Sequence, residues 1–126
     1  MSVAYVDTSA LVAVAFDERG AAACARRLGS FSRLVSSNLL EAELRAVFAR
    51  EGHGFAANLL SGIEWVLPDR PLSHEFETAL EAGYLRGADL WHIAMALYVA
   101  PEPPDLHFIT LDGRQRTIAA ALGFEV

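Results

Sequence analysis

The sequence contains no lysine, because all ten of its basic residues are arginine. This absence excludes every mechanism that requires a side-chain amine. With 16 acidic residues the formal net charge is −6, so the chain has no overall basic field with which to attract a polyanion. A nucleic acid partner would therefore need a local basic patch or bridging cations.

Cysteine is almost absent as well. Cys24 stands alone, which excludes an internal disulfide and a cysteine-rich zinc site. No run of about 18 apolar residues is present to span a bilayer. The apolar start lacks the basic leader of a signal peptide, and Asp7 interrupts it. We therefore expect a protein of the reducing cytoplasm with no membrane segment.

The residues that are present describe a folded globular protein, with 53% hydrophobic and 21% charged residues. The length of 126 residues predicts a single domain over 1–126 with a sizeable core. A mean hydropathy of +0.28 indicates a dimer or partner interface. Segments 10–30 and 53–65 are the predicted interface, and packing of these segments into the core is an equal alternative.

Short apolar runs typical of strands alternate with longer segments of helical spacing. The strand-like runs are 3–6, 33–36, 65–67, 107–111 and 124–126. Predicted helices are 20–29, 37–52, 53–62, one that Ser73 caps with Glu75 in its first turn, one from Asp89 to the prolines at 101–104, and one around 118–122. This alternation predicts an α/β fold whose parallel sheet is covered by helices on both faces.

Two aspartates directly follow predicted strands: Asp7 follows the first, and Asp112 follows the run at 107–111. In an open parallel sheet, ligands bind outside the carboxyl ends of the strands. Each aspartate could instead simply cap the next helix. Thr8 or Ser9 could provide that cap after the first strand, which leaves Asp7 available for a ligand.

Glu43 is a carboxylate at the edge of an apolar helix face. Its neighbours three and four positions away are Leu39, Leu40, Ala46 and Val47. A carboxylate so close to the core is costly unless a cation or a hydrogen-bond donor compensates it. Because there is no lysine, an ion pair with arginine is the structural alternative to a bound metal.

Asp89 precedes a strongly apolar helix in the segment LRGADLWHIAMAL, where it could also serve as an ordinary acid at a helix start. His92, one turn on, is interpreted as a packed core histidine rather than a ligand. If the fold brings the four acids together, their repulsion raises their pKa values unless cations bind. Such oxygen ligands select Mg²⁺ or Mn²⁺ over Zn²⁺, and the resulting site suits phosphate chemistry.

Four segments in this order resemble the PIN-domain proteins, and specifically the small ribonuclease toxins called VapC: VDTSALVAVAF, SSNLLEAELRAVFAR, LRGADLWHIAMAL and FITLDGRQRTIAAALGFEV. The resemblance covers essentially the whole chain. It implies a three-layer fold with a five-stranded parallel sheet, and metal-dependent cleavage of single-stranded or loop RNA to a 5′-phosphate and a 3′-hydroxyl. It also implies a homodimer and a small VapB-like antitoxin that blocks the site.

The resemblance also assigns site residues. The metal-binding acids of the family fall on Asp7, Glu43, Asp89 and Asp112. Hydroxyls expected to orient water or carboxylates are Thr8, Ser9 and Thr110. Apart from the resemblance, three arginines close in sequence to these acids are candidate phosphate contacts, with an ordinary surface arginine or a salt bridge as an equal alternative for each: Arg86, Arg114 and Arg116.

Three positions depart from the pattern of the family. Leu90 and Trp91 are bulkier than the residues expected after Asp89, so they could alter the wall of the pocket. Gly113 stands where a basic residue is common. These departures affect the expected substrate preference more than the expected catalysis.

Other functions are weighed against the nuclease. A magnesium-binding signalling receiver would need paired acids after the first strand and a lysine, but Thr8 follows Asp7 and lysine is absent. A PIN-like scaffold whose acids serve only folding stays open. A housekeeping RNA-processing nuclease stays open too, and a neighbouring gene for a short antitoxin would distinguish a toxin from it.

Overall fold

Strands and helices alternate along residues 2–126, which are the residues that the computed structural model describes. The strands are β1 (Val3–Val6), β2 (Arg33–Ser37), β3 (Ile63–Val66) and β4 (His107–Ile109). The helices are α1 (Thr8–Ala15), α2 (Ala21–Gly29), α3 (Leu39–Arg50), α4 (Ser73–Ala82), α5 (Gly87–Val99) and α6 (Gly113–Leu122). This arrangement confirms the predicted α/β class. None of the helices in the described residues is long and apolar enough to cross a bilayer.

All strand pairings in the sheet are parallel, and the strand order is β3-β2-β1-β4. The chain therefore builds outward from β1 through β2 to β3, and then returns to add β4 on the other side of β1. The order reverses between β1 and β4. In doubly wound sheets such a reversal opens a crevice at the carboxyl ends of the two strands, where ligands bind.

The prediction of five strands is wrong, because the sheet formed by residues 2–126 has four. The run 124–126 contributes one isolated parallel bridge, between His107 and Glu125. Gly123 ends α6 with a φ of 103°, and Phe124 turns at once into the core, where it is 4% exposed. The segment therefore meets β4 at a single residue.

Two further predicted elements are shorter or shifted. Segment 53–62 forms only a 3₁₀ turn at Ala57–Leu60 rather than a helix, because Gly52 ends α3 with a φ of 72° and Gly54 follows it. Ser73 is the first residue of α4, and no side chain caps that helix. The helix at 20–29 is confirmed as α2.

The core lies on both faces of the sheet. β1 shows why, since Tyr5 faces one apolar cluster while Ala4 and Val6 face the other, and all three are fully buried. The first cluster includes residues of α4, α5 and α6, and the second includes residues of α1, α2 and α3. Leu11 and Leu28, from the segment considered above as an interface, are buried in the second cluster.

Candidate active site

Asp7 lies at the point where the strand order reverses. Its backbone N–H donates to the carbonyl of Ile109 at 2.9 Å, which extends the β1–β4 ladder to the base of the crevice. Its Oδ2 accepts hydrogen bonds from Ser9 Oγ at 2.7 Å, from Ser9 N at 3.2 Å and from Thr110 Oγ1 at 3.0 Å. Asp7 thus caps α1 and is also held from β4. It is 3% exposed.

Glu43 reaches the same crevice from α3. Its Oε1 accepts hydrogen bonds from Thr8 Oγ1 and from His92 Nε2, each at 2.7 Å. Burial alone would raise the pKa of this carboxyl, but the hydrogen bonds from His92 and Thr8 outweigh burial and lower it. Glu43 is therefore an ionised carboxylate whose orientation is fixed from two other elements.

His92 connects the core to the acids. Its Nε2 lies 2.7 Å from Glu43 Oε1 and 3.9 Å from Asp7 Oδ1, and its Nδ1 lies 2.7 Å from Tyr5 Oη. Burial raises the pKa of the Tyr5 phenol above its ordinary value, so the phenol stays neutral and donates to Nδ1. Nε2 then carries the proton that Glu43 accepts.

The sequence predicted that His92 is a packed core histidine, which describes only part of its role. The residue is buried, but it also positions Glu43. The spacing contained a signal, because His92 follows Asp89 by three positions and the two residues therefore lie on the same side of α5.

Asp89 and Asp112 complete the group of four acids. Asp89 lies in the first turn of α5, and Asp112 caps α6 by accepting from Gln115 N at 2.8 Å. Burial raises the pKa of Asp89, and the charges of Asp7, Asp112 and Glu43 raise it further. The charges of the other three acids therefore bear on Asp89, in the direction expected for acids gathered without a cation.

Gln115 is a site residue that the sequence did not reveal. It is fully buried, its Oε1 lies 2.9 Å from Thr110 Oγ1, and its Nε2 donates to the carbonyl of Asp89 at 3.3 Å. It thereby ties α6 to β4 and to the start of α5. A polar residue near a helix start carries no signal of burial, so sequence reasoning had no means of finding it.

The three candidate arginines do not lie together. Arg86 and Arg114 line an open cavity of about 280 Å³ with Asp89, Asp112 and Tyr84. Arg116 instead donates to the carbonyl of Thr110 at 2.8 Å and lines a different cavity, which Cys24 also borders. Within residues 2–126, no arginine forms an ion pair with any of the four acids.

Two departures noted in the sequence have clear positions. Trp91 donates its indole N–H to Ser37 Oγ at 2.7 Å and borders a groove of about 350 Å³ at the carboxyl ends of β2 and β3. Leu90 packs against the core. Trp91 therefore builds the wall of a groove that none of the four acids lines, and it does not border the cavity that Asp89 and Asp112 share.

The donor chemistry of the four acids fits a hard divalent cation, since it offers carboxylate oxygens and no thiolate. The four acids do not form a complete metal-binding site in this structure, because no three acidic, histidine or cysteine side chains of residues 2–126 lie close enough together to hold a metal ion. Asp7, Glu43 and Asp112 each direct one oxygen to a protein donor.

Comparison with protein families agrees with this geometry. The family model described as PIN domain matches residues 4–121, from β1 to α6. A search of the curated proteins found no match, and neither did a search of the solved structures. PIN domains are generally metal-dependent nucleases, and those nucleases act on RNA. Since the match covers nearly the entire sequence, the chain belongs to the PIN domain family.

Proposed function

We propose that this chain is a Mg²⁺- or Mn²⁺-dependent endoribonuclease that hydrolyses phosphodiester bonds of RNA. One observation carries the proposal: the imidazole of His92 lies within 3.9 Å of both Asp7 and Glu43, Asp89 and Asp112 line one cavity, and no arginine of residues 2–126 pairs with any of these four acids. Uncompensated negative charge in a crevice is the condition that favours binding of a cation.

Asp7, Glu43, Asp89 and Asp112 would hold the metal. When bound, the cation supplies positive charge that makes a water more acidic and stabilises the charge that develops on the phosphate. Ser9 and Thr110 hold the carboxylate of Asp7, while Thr8 and His92 hold that of Glu43. These contacts keep the two carboxylates oriented before any ligand arrives.

Phosphate binding in an acidic protein needs local positive charge. Arg86 and Arg114 are suited to this role because they border the same cavity as Asp89 and Asp112. Arg116 was predicted as a third phosphate contact, but its guanidinium is bound to the carbonyl of Thr110. We therefore expect Arg116 to contribute to the structure of the site rather than to binding of RNA.

The test is cleavage of a labelled structured RNA with Mn²⁺ or with EDTA, by the native chain and by Asp89→Asn. We expect cutting only with metal and only by the native chain. Asp105→Asn is the matched control, because it makes the same chemical change at an exposed residue. Asp105 precedes β4 and therefore lies at the amino ends of the strands, away from the acids at the carboxyl ends. This variant should cut like the native chain.

Thermal unfolding gives a second readout that does not depend on choosing the right RNA. Mn²⁺ should raise the melting temperature of the native chain and of Asp105→Asn, since a ligand that binds only the folded state stabilises it. It should leave Asp89→Asn unchanged. A folded native chain that neither cuts RNA nor responds to Mn²⁺ would make an inactive PIN-like scaffold the better interpretation.

The proposal extends to biology: a VapC-type toxin that acts as a homodimer, inhibits translation and is blocked by a VapB-like antitoxin. The support is the resemblance of the four sequence segments. Induced expression in a bacterium should arrest growth, while Asp89→Asn should not, and a short neighbouring gene should relieve the arrest. Cleavage without arrest would favour a housekeeping RNA-processing nuclease. Light scattering of the purified chain tests the dimer.

A further inference from the structure

Tyr84 is an exposed aromatic residue that the proposed chemistry does not use. It is 66% exposed, and its ring is not among those that pack against either apolar cluster. The residue lies in the short connection between α4 and α5. Burying an aromatic ring is strongly favourable, so an aromatic side chain left this exposed beside a candidate site invites a functional explanation.

The backbone holds Tyr84 firmly although its ring is exposed. On one side, Gly83 packs so tightly on α6 that a Cβ there would lie 3.1 Å from the Cδ1 of Ile118. On the other side, Leu85 is buried in the core at 3% exposure. Because the side chains of successive residues in an extended segment point in opposite directions, the inward Leu85 directs Tyr84 and Arg86 outward.

The surroundings of the ring indicate what it could bind. Tyr84 borders the cavity of about 280 Å³ that Arg86, Arg114, Asp89 and Asp112 also line. Guanidinium groups contact the phosphates of a nucleic acid, and aromatic rings stack on its bases. A single nucleotide carries both features, so one ligand class accounts for the ring of Tyr84 and the guanidinium groups of Arg86 and Arg114, while Asp89 and Asp112 belong to the proposed metal site. The cavity adjoins the candidate metal site, because Asp89 and Asp112 line the cavity and also belong to the four candidate metal ligands.

We infer that Tyr84 is a base-binding residue whose ring stacks on an unpaired nucleobase, next to a phosphate held by Arg86 and Arg114. The inference rests on the proposed function and specifies its substrate at one position. A base within a duplex has both faces covered by its neighbours, so it cannot stack on Tyr84. The RNA substrate must therefore present an unpaired nucleotide beside the cleaved bond, so that its base can stack on Tyr84.

The test measures binding of a fluorescein-labelled, random-sequence 12-nucleotide RNA to the full chain by anisotropy. Ca²⁺ replaces Mg²⁺, and a denaturing gel confirms that the strand stays intact. Tyr84→Ala should weaken binding between about 5-fold and 150-fold, which corresponds to the loss of about 1–3 kcal/mol for one stacked base. Tyr84→Phe keeps the ring and should bind like the native chain. Tyr84→Leu keeps apolar area without a ring and should behave like Tyr84→Ala.

Two further probes separate stacking from other roles. An abasic strand of the same length should bind the native chain and Tyr84→Ala equally, since it has no base to stack. Arg114→Gln should instead weaken binding of both strands and lower the slope of log K against log salt by about one. Equal losses on the abasic strand, an unchanged Tyr84→Ala, or no binding of the native chain to the pool would each overturn the inference.

The outcome for Tyr84 is distinguishable from the outcome for the nuclease. Metal-dependent cutting by a native chain whose binding ignores Tyr84 would keep the nuclease and reject the base-binding role. Ring-dependent binding without any cutting would keep the base-binding role and reject the nuclease. If Tyr84 served a protein partner instead, Tyr84→Ala would bind both strands like the native chain, and the inference would fail.

Discussion

The chain buries carboxylates in two places and compensates them in different ways. On α4, Glu75 is 7% exposed and receives both arms of the Arg70 guanidinium, at 3.0 Å and 2.7 Å. That guanidinium also lies over the ring of Tyr98, 5.2 Å from its centroid. At the crevice, Asp7 is 3% exposed, yet its partners are hydroxyls and one backbone N–H. Only the first carboxylate is neutralised by a charge of the chain.

This difference separates a structural acid from an acid kept for a ligand. A bidentate arginine is a strong and planar partner for a carboxylate, and the chain has arginine available. Hydroxyls and an imidazole orient the acids of the crevice without cancelling their charge, and the charges of Asp7, Asp112 and Glu43 raise the pKa of Asp89. The folded state tolerates this cost at the reversal of strand order, where an external cation would remove it.

The largest expected effect is on the rate of RNA cleavage, which should depend on Asp89 in the crevice and not on Glu75 on α4. Asp89→Asn should reduce cleavage of RNA by a factor on the order of 10³, the size of loss seen when one electrostatic group leaves an active site. Glu75→Gln, which removes the same charge from a buried carboxylate elsewhere, should leave the rate per folded molecule unchanged. Initial rates normalised to folded protein test the pair. Equal losses in both variants would show that the contrast in compensation has no functional meaning.

The next effect concerns the residue that orients Glu43. His92→Gln should lower the affinity for Mn²⁺ by about 10–100-fold, as removal of groups that support metal ligands does. Tyr5→Phe is the matched control, because it removes the other hydrogen bond of the same imidazole. It should cost about 1 kcal/mol of unfolding free energy and weaken metal binding less than His92→Gln does, because the imidazole itself stays beside Glu43. Calorimetric titration with Mn²⁺ and urea unfolding measure the two quantities, and a Tyr5→Phe variant with equally weakened metal binding would contradict the assignment.

A smaller effect is predicted for stability without metal. Because burial and the neighbouring carboxylates raise the pKa of Asp89, its ionised form destabilises the folded state. Asp89→Asn should therefore melt a few degrees higher than the native chain at neutral pH in EDTA. The gap should close as the pH falls through the raised pKa, since the native chain then protonates Asp89 itself. A variant that melts lower than the native chain at neutral pH would refute the repulsion.

Sequence reasoning was most successful where the signal is local. Apolar periodicity predicted the α/β class, the parallel sheet and the helix at 20–29, all of which the structure confirms. The count of strands failed because an apolar run such as 124–126 does not reveal whether its residues pair along a ladder or turn into the core. Phe124 takes the second course. The prediction of a helix at 53–62 failed because Gly52 ends α3 just before the segment and Gly54 lies within it, so that only the turn Ala57–Leu60 forms.

The positions of the four candidate acids at strand ends and on helix faces were predictable, and the residues that contact them were not. Asp7, Glu43, Asp89 and Asp112 stand at positions that strand ends and helix faces make visible in a sequence. Gln115 acts through contacts with elements distant along the chain, and no local pattern carries that information. For His92, the spacing from Asp89 indicates the shared side of α5 but not the contact with Glu43. The same holds on α4, where the sequence indicates that Glu75 suits a helix start but does not indicate the ion pair with Arg70.

That ion pair gives the smallest and most specific prediction, which concerns pH. The hydrogen bonds from Arg70 lower the pKa of Glu75 below its ordinary value of about 4.3. An acid whose pKa is lower in the folded state contributes stability above its ordinary pKa and loses it as the pH falls through the folded pKa. Glu75→Gln should therefore be less stable than the native chain at pH 7, and the two should converge as the pH falls through the lowered pKa of Glu75. Urea unfolding across this range tests the sign. If the difference in the free energy of unfolding stayed constant down to the lowest pH, Glu75 would act through packing rather than through its charge. The ion pair with Arg70 would then not neutralise a charge that matters for stability, and the contrast with the acids of the crevice would fail.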